Sequence, residues 1–341
     1  MTKEEWLAIR QQLPDDTRIQ WTQLLYIVDL CVLVAAWLIW LKAPVWIRPG
    51  ALILAAIATI QIYLILHEAA HGSVSNKRRI NDLVGHLCGW MIFLPFLPRR
   101  RYHMAHHAWT AHPLRDPENK NMIEKLSVMT EKQGRTLEFM WRHWIPMIAA
   151  NHFIGNWRAP YQARAKGNHS PQIKKEIRFT YIYLAGYIAV AGLALTFHAG
   201  WQLFCFYFPV WISLLIMVEV LNLPHHAEAP LQAEDDDRLF FWDQESVSHD
   251  CGTLPIWSRF IILNFNLHIV HHAFPRVPWY HLSRARDLLA QQRDSVGPEP
   301  MDEWRYALKN RRRPLLTLMG HFFDRRSSSK TRPAEESQTT F

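Results

Sequence analysis

Four long apolar stretches limit what this chain can fold into more than any other feature of its sequence. They cover residues 21–41, 47–66, 179–197 and 201–221, and each approaches the ~20 residues that an α-helix needs to cross a bilayer. The mean hydropathy of the whole chain is only −0.13, so a large part of it must lie outside lipid. We therefore predict an all-α protein in which four transmembrane helices carry a cytosolic helical cap.

The positions of the basic residues predict how these helices are oriented. Of the 38 Lys and Arg residues, 36 lie before the first stretch, between the second and third, or after the fourth. Four crossings place all three of those regions on one side, which the positive-inside rule assigns to the cytoplasm. We expect a multi-pass protein with both termini in the cytoplasm, and we take the membrane to be a bacterial inner membrane.

Charge and cysteine usage narrow the partners and the compartment. The net charge of +8 is better explained by anionic lipid headgroups or an acidic electron donor than by nucleic acid, for which the sequence has no motif. The four cysteines, Cys31, Cys88, Cys205 and Cys251, form no CxxC pair. We interpret them as free thiols in a reducing compartment.

The polar regions divide the chain further. Residues 1–20 are predicted to be an N-terminal amphipathic segment, because they are polar, mixed in charge and unlike a signal peptide. Residues 21–282 form the integral-membrane domain, 283–324 a C-terminal helical segment, and 325–341 a tail whose composition is typical of disorder. Residues 82–98 are apolar but contain two prolines, so we expect a re-entrant or interfacial segment there rather than a fifth crossing.

Two histidine clusters follow the second apolar stretch. His67 and His71 are four residues apart, and His103, His106 and His107 have spacings of three and four. Residues at these spacings share one face of a helix, and neutral imidazole is a common ligand of iron, zinc, copper and nickel. Five imidazoles exceed what one tetrahedral ion needs, so the pattern predicts a site with more than one metal.

The same spacing returns after the fourth apolar stretch. His268, His271 and His272 repeat the HxxHH pattern, and the segment LNLPHHAE adds the doublet His225 and His226. Chance clustering on the surface would explain one such motif. It does not explain two HxxHH motifs and one HxxxH motif that each lie beside an apolar run.

Two carboxylates lie close to these histidines in the sequence. Asp116 follows the second cluster and is a candidate to hold an imidazole in one tautomer. A helix cap or turn before Pro117 is an equally good interpretation. Glu68 lies between His67 and His71 and does not share their helical face, so we treat it as non-ligating.

The segments HEAAHG, YHMAHH and HIVHHAFPRVP resemble the three histidine boxes of the membrane fatty acid desaturase superfamily, which also includes related alkane and carotenoid oxygenases. The resemblance runs from about residue 57 to residue 282, and the FPRVPWY of the third box is typical of acyl desaturases. It implies a di-iron centre held by histidines, with one asparagine acting through a water. The implied metal-binding set is His67, His71, His103, His106, His107, Asn222, His226, His268, His271 and His272.

The sequence departs from one branch of that superfamily in two ways. The pattern Asn222-x-x-x-His226 looks like the extra box of animal-type stearoyl desaturases, but the first box has three residues between its histidines where those enzymes have four. The histidine doublet also makes His225 a rival to His226 as a ligand. Both departures bear on the substrate subclass more than on the metal site.

A di-iron centre suits the removal of hydrogen from an unactivated C–H bond. An alkyl hydrogen is too weakly acidic for any side-chain base, whereas a redox metal and oxygen can remove it. We therefore expect an O2-dependent oxidoreductase that introduces a double bond into a fatty acyl chain, with no separate acid or base. The sequence has no His-Pro-Gly-Gly haem box, Gly-rich dinucleotide loop or cysteine cluster. A separate ferredoxin, rubredoxin or cytochrome b5-like electron donor is therefore implied.

Two other interpretations remain open at this point. A hydroxylase or ketolase acting on a carotenoid, an alkane or another lipid would use the same first hydrogen abstraction, and no motif reports the step that follows. A zinc-binding membrane protein or transporter belongs to a different class. Transport sites use ionisable groups near the bilayer midplane, whereas these histidines lie outside the apolar stretches.

Overall fold

The computed structural model describes residues 1–14, 21–227, 231–291 and 301–315. Within these ranges the chain forms helices and loops and contains no strand, so the predicted all-α class is confirmed. The predicted tail at 325–341 and parts of the predicted segments 1–20 and 283–324 lie outside the described residues. The α-helices of the described ranges are α1 Lys3–Gln12, α2 Trp21–Lys42, α3 Arg48–His71, α4 Arg78–Met91, α5 Phe96–Trp109, α6 Pro117–Ser127, α7 Glu131–Arg142, α8 Met147–Ala165, α9 Pro171–Thr196, α10 Gly200–His226, α11 His268–Ala273, α12 Leu282–Gln291 and α13 Glu303–Asn310.

Four helices, α2, α3, α9 and α10, are long and apolar enough to cross a membrane. They contain the four apolar stretches of the sequence. The apolar windows of α2 and α9 are mostly exposed, at 17% and 11% buried, whereas those of α3 and α10 are 61% and 44% buried. A helix that leaves apolar residues exposed around most of its surface suits lipid. We infer that α3 and α10 lie at the centre of the bundle and that α2 and α9 face the bilayer.

The segment predicted to be re-entrant forms the pair α4 and α5, which are bent by 109° at a short break. The two helices pack closely beside the break. A Cβ atom at Gly85 would clash with the ring of Phe96, and one at Gly89 would clash with the carbonyl of Leu94. The bend turns α5 back towards the end of α3, so that the second histidine motif meets the first.

The polar helices form a cap at the end of the bundle where α3 and α10 end. We use the term helical cap for α5–α8, α11–α13 and α1. Helices α6 and α8 pack against α5, and α8 and α13 pack against α10. Helix α1 buries Ile9 and Leu13 against Val270 of α11, and the indole of Trp6 donates to the carbonyl of Ala273 at 2.8 Å. The apolar face of the N-terminal segment therefore packs against other parts of the cap, α11 and α12.

A buried ion pair fastens α13 to α10. The guanidinium of Arg311, just after α13, donates to Glu219 of α10 at 2.7 Å. Its carbon lies 3.7 Å from the ring centroid of Trp141 and 4.5 Å from that of Trp144. The other carboxylate oxygen of Glu219 accepts from the first backbone N–H groups of α8, which have no partner within their own helix. One carboxylate thus links α8, α10 and the C-terminal part of the chain.

Candidate metal centre

Two membrane helices carry histidines in their last turns, next to the helical cap. Helix α3 continues five residues beyond its apolar stretch and stops at His71, where Gly72 adopts a φ of 78°. That left-handed conformation is favourable for glycine and is a common way to end a helix. Helix α10 likewise runs on to His226. Because both helices end at the same level, their last turns place imidazoles next to α5.

The third histidine motif, which is the second with the HxxHH pattern, lies on the six-residue helix α11. The chain enters it through Leu263 and Asn264, which have φ values of 53° and 56°. The side-chain amide of Asn264 donates to the carbonyl of Trp279 at 3.0 Å, which ties the segment before α11 to the segment after it. These local contacts hold a short helix that has little stability of its own.

Five of the predicted histidines form a first buried cluster. The Nε2 atoms of His71 and His103 are 2.7 Å apart, those of His103 and His107 are 3.2 Å apart, and those of His107 and His271 are 3.2 Å apart. The ring of His67 lies 4.5 Å, between centroids, from the rings of both His103 and His271. One nitrogen from each of the five lies within 4.8 Å of the others.

The other four histidines form a second cluster beside the first. The Nε2 atoms of His106 and His226 are 3.3 Å apart, those of His226 and His268 are 3.0 Å apart, and those of His268 and His272 are 3.1 Å apart. Each cluster therefore draws on three segments of the chain. Helices α5 and α11 contribute to both clusters.

The remaining predicted residues are placed as follows. Asn222 lies one turn before His226 on α10, and its side-chain amide donates to the carbonyl of Val218 at 2.8 Å. Within the described residues its amide forms no hydrogen bond with a histidine. The ring of His225 stacks on that of His268 at 4.3 Å between centroids, and its Nδ1 donates to the carbonyl of His249. His226, and not His225, presents an Nε2 atom to the Nε2 atoms of other histidines.

The carboxylate of Glu68 also points away from the clusters. It accepts from the hydroxyl of Ser73 at 2.8 Å and from the backbone N–H of Trp279 at 3.2 Å. Glu68 therefore lies on a different face of the helix from His67 and His71, as the helical spacing indicated.

The facing Nε2 atoms are the observation that fits a metal. In a neutral imidazole one nitrogen carries the proton and the other a lone pair. Burial lowers the pKa of His103, His107, His268 and His272 well below its usual value, and neighbouring imidazoles lower it further. Burial likewise lowers the pKa of His271 to about 3. Neutral rings with several nitrogens turned inward are what a cation needs, because metal-ligating histidines must be deprotonated at the ligating atom.

Two side chains form hydrogen bonds with the outer nitrogens of cluster histidines. Asp116 lies 3.0 Å from Nδ1 of His106, and Gln244 presents its Oε1 3.1 Å from Nδ1 of His272. Both oxygens accept, so the outer nitrogen of each ring carries a proton. Burial lowers the pKa of His106, but the negative charge of Asp116 outweighs it and raises that pKa to about 9. Without a metal the inner nitrogen of His106 is therefore also protonated at neutral pH, and a metal ion would displace that proton.

Asp116 also caps α6, because its other oxygen accepts from the backbone N–H of Glu118 at 3.0 Å. Both interpretations of this residue from the sequence therefore hold in the structure. Gln244 was not predicted. It lies in a 3-10 helix, Phe241–Ser246, within an acidic loop whose sequence has no periodic pattern, so no local signal pointed to it.

Comparison with known families identifies the family of proteins to which this chain, with its two histidine clusters, belongs. A family model described as fatty acid desaturase matches residues 43–303. The chain belongs to the fatty acid desaturase family. The superfamily resemblance carried by the three histidine motifs is therefore confirmed.

Several curated desaturases are similar to this chain over most of its length. The omega-3 fatty acid desaturase, chloroplastic, of Brassica napus is 27% identical over 329 residues, which cover 86% of this chain and 76% of that protein. The sn-1 acyl-lipid omega-3 desaturase (ferredoxin) of Nostoc sp. (strain 36) is 24% identical over 282 residues, covering 77% and 72%. The sn-1 oleoyl-lipid 12-desaturase of Arthrospira platensis is 26% identical over 273 residues, covering 75% and 72%.

Among the cavities that reach the histidine clusters of this desaturase-family protein, two lie on different sides of the site. The smaller, of about 190 Å³, is lined mainly by apolar atoms and touches Asn222 and His226 of the second cluster. It lies between α3, α8 and α10, next to the Glu219–Arg311 ion pair. The larger, an open basin of about 900 Å³, reaches His71 of the first cluster.

The lining of the larger cavity is strongly basic, and we call it the basic basin. Among the described residues that line it, six are Arg or Lys and none is acidic. Two of them are paired from outside the lining: Arg100 with Asp82, and Arg101 with Glu176 through two hydrogen bonds. The basic residues of the lining are Arg10, Arg78, Arg100, Arg101, Lys175 and Arg276.

Proposed function

We propose that this protein is an O2-dependent, di-iron membrane desaturase that introduces a double bond into the acyl chain of a lipid. The observation that carries the proposal is the convergence of nine predicted imidazoles into two buried clusters, in a chain that belongs to the fatty acid desaturase family. The relatives include enzymes named as acyl-lipid and oleoyl-lipid desaturases, which supports an acyl lipid as the substrate class.

Each cluster would hold one iron ion. When bound, the irons would supply the oxygen activation and hydrogen abstraction that no side chain can provide. The chain's own part is to hold nine imidazoles in fixed directions and to keep them buried. Asp116 and Gln244 fix the tautomers of His106 and His272. Asn222 would act through a water, because it lies one turn before His226 on the same helix face.

We propose the smaller cavity as the path of the acyl chain. Its lining is mainly apolar, as an alkyl chain requires, and it ends at Asn222 and His226. An apolar cavity excludes water and holds the chain by burial alone. The position of the double bond would then follow from how far the chain extends past His226.

We propose the basic basin as the face that receives an external electron donor. The basin is open to the outside and reaches His71, so a carrier docked there would lie near the first cluster. Its charge suits an acidic protein, since complementary charge speeds association. One relative is named as a ferredoxin-dependent desaturase, which supports a ferredoxin-type donor.

We propose that the helical cap and both termini face the cytoplasm. The proposal rests on the excess of basic residues in the cap and on the positive-inside rule. Only the short turns between α2 and α3 and between α9 and α10 would then lie on the other side of the membrane.

The function is tested by the lipids of a host that expresses the chain. Gas chromatography of fatty acid methyl esters should show a new unsaturated species, and His271→Ala should abolish it because His271 faces His107 in the first cluster. The matched control is His169→Ala, which removes an exposed histidine from the loop before α9 and should leave the product unchanged. A hydroxylated or keto product in place of the unsaturated one would refute desaturation.

A further inference from the structure

His225 is completely buried and stacks on His268 of the second cluster, but its nitrogens do not join the facing Nε2 atoms of either cluster. Its Nδ1 lies 2.9 Å from the carbonyl of His249. A carbonyl can only accept, so Nδ1 carries the proton and Nε2 has the lone pair, which is the tautomer typical of metal-ligating histidines. That Nε2 atom is buried and has no hydrogen-bond partner in the part of the chain that the structure describes.

Two further potential ligands converge on the same place from distant parts of the chain. Cys251 comes from the loop before α11, and its Sγ is 3.9 Å from Nδ1 of His225. Glu303 is the first residue of α13 and is completely buried. One ligand atom from each of the three residues lies within 4.8 Å of the others.

The carboxylate of Glu303 is only half satisfied. Its Oε2 accepts from the indole of Trp257 at 3.2 Å, while Oε1 is buried without a partner among the described residues. Burying a polar atom without a partner is energetically costly. The site therefore contains two such atoms, on His225 and Glu303, beside a buried thiol. A cation would satisfy all three.

We propose that His225, Cys251 and Glu303 form a third metal site, which takes one zinc-class divalent ion. One imidazole nitrogen, one thiolate and one carboxylate oxygen are the ligand types that zinc prefers, with a fourth position left for water. The thiol also sets this site apart, because the two histidine clusters offer only nitrogen.

The position of the site suggests what the ion would do. It would join the end of α10, the loop before α11 and the start of α13. His225 precedes His226 and stacks on His268 of the second cluster, so the ion would fix the end of α10 beside that cluster. Burial raises the pKa of Cys251, and burial raises the pKa of Glu303 to about 7. Metal binding would therefore release protons from these groups.

Cobalt substitution tests the site directly. The full-length protein, purified in detergent and loaded with Co²⁺ alone, should show the near-ultraviolet charge-transfer band of a cobalt thiolate. Histidine, water and carboxylate do not give this band, so cobalt in the two histidine clusters would not contribute to it. Cys251→Ser should abolish the band. The matched control Cys31→Ser, which removes an exposed thiol of α2, should retain it.

A second measurement needs no variant. X-ray absorption at the zinc edge, on wild-type protein loaded with zinc, should show a sulfur neighbour. Absence of both the cobalt band and the zinc–sulfur distance in the wild-type protein would overturn the proposal, and so would a band that persists in Cys251→Ser. Iron content and desaturase product are measured separately, so failure of the proposed function would not be confused with failure of this site.

Discussion

At the residue scale, the direction of each imidazole depends on what its outer nitrogen meets. His106 is held by Asp116, and His272 by Gln244. Such partners fix the tautomer and strengthen the ligand, and their loss lowers metal affinity or activity by about 10–100-fold in known metal sites. The carboxylate is the stronger of the two partners here, because it also raises the pKa of His106.

We predict that Asp116→Asn lowers iron occupancy or desaturase activity by about 10–100-fold. Asparagine is as good a helix cap as aspartate, so α6 should still form and the loss should reflect the missing charge. Iron per chain and product formation measure the effect. The control is Asp235→Asn in the exposed loop after α10. Equal iron content and activity in both variants would show that Asp116 has only a capping role.

At the element scale, the ends of α3 and α10 are held by elements far away in the sequence. Glu219 of α10 contacts the start of α8 and the segment after α13. Because Glu219 and Arg311 are both almost fully buried, removing one partner leaves an uncompensated charge in the interior. Such a loss is typically worth about 3–5 kcal/mol, whereas removing both charges together is often neutral.

We therefore predict that Arg311→Met lowers the free energy of unfolding by about 3–5 kcal/mol. The double variant with Glu219→Gln should recover most of it, because the glutamine oxygen can still accept from the first N–H groups of α8. Thermal unfolding in detergent measures both. A double variant no more stable than Arg311→Met alone would contradict this account of the ion pair.

The same elements show where prediction from the sequence ends. Helical spacing predicted that His67 would share a face with His71, and the family resemblance implied that the second and third motifs would meet the first. It did not predict that the neighbours His106 and His107 would join different clusters, since the partner of each face depends on how helices pack. Likewise, the 92 residues between Glu219 and Arg311 leave no local pattern that could indicate their contact.

At the scale of the whole molecule, the fold separates a lipid-facing bundle from a basic cap. The apolar residues exposed on α2 and α9 require lipid around them, whereas the basic basin opens beside His71. One end of the molecule therefore contains both clusters and most of the positive charge. This polarity is the basis for the proposed orientation and the proposed donor face.

Cysteine labelling in intact cells tests the orientation. In a background with Cys31 and Cys205 replaced by serine, Asn76→Cys and Ser127→Cys should resist an impermeant reagent until the cells are lysed. Both positions are exposed in the cap region. Val45→Cys, in the turn between α2 and α3 and 74% exposed, should be labelled from outside. Labelling of position 127 in intact cells would refute a cytoplasmic cap.

Charge reversal tests the donor face. We predict that Arg276→Glu in the basic basin raises the KM for reduced ferredoxin by about tenfold at low salt, with a smaller effect at high salt because ions screen the attraction. The kcat should change little, since the substitution leaves every histidine in place. Arg238→Glu, on an exposed loop outside the basin, is the matched control. The same rise in both variants would show that only net charge matters.

The most direct test of the central claim is the iron content of active protein. Two buried clusters predict about two irons per chain, in a preparation that converts a saturated acyl bond to a double bond when it receives O2 and a reduced donor. Removal of the iron by a chelator should abolish turnover, and added ferrous iron should restore it. An active preparation that contained one tightly bound zinc and no iron would contradict the account.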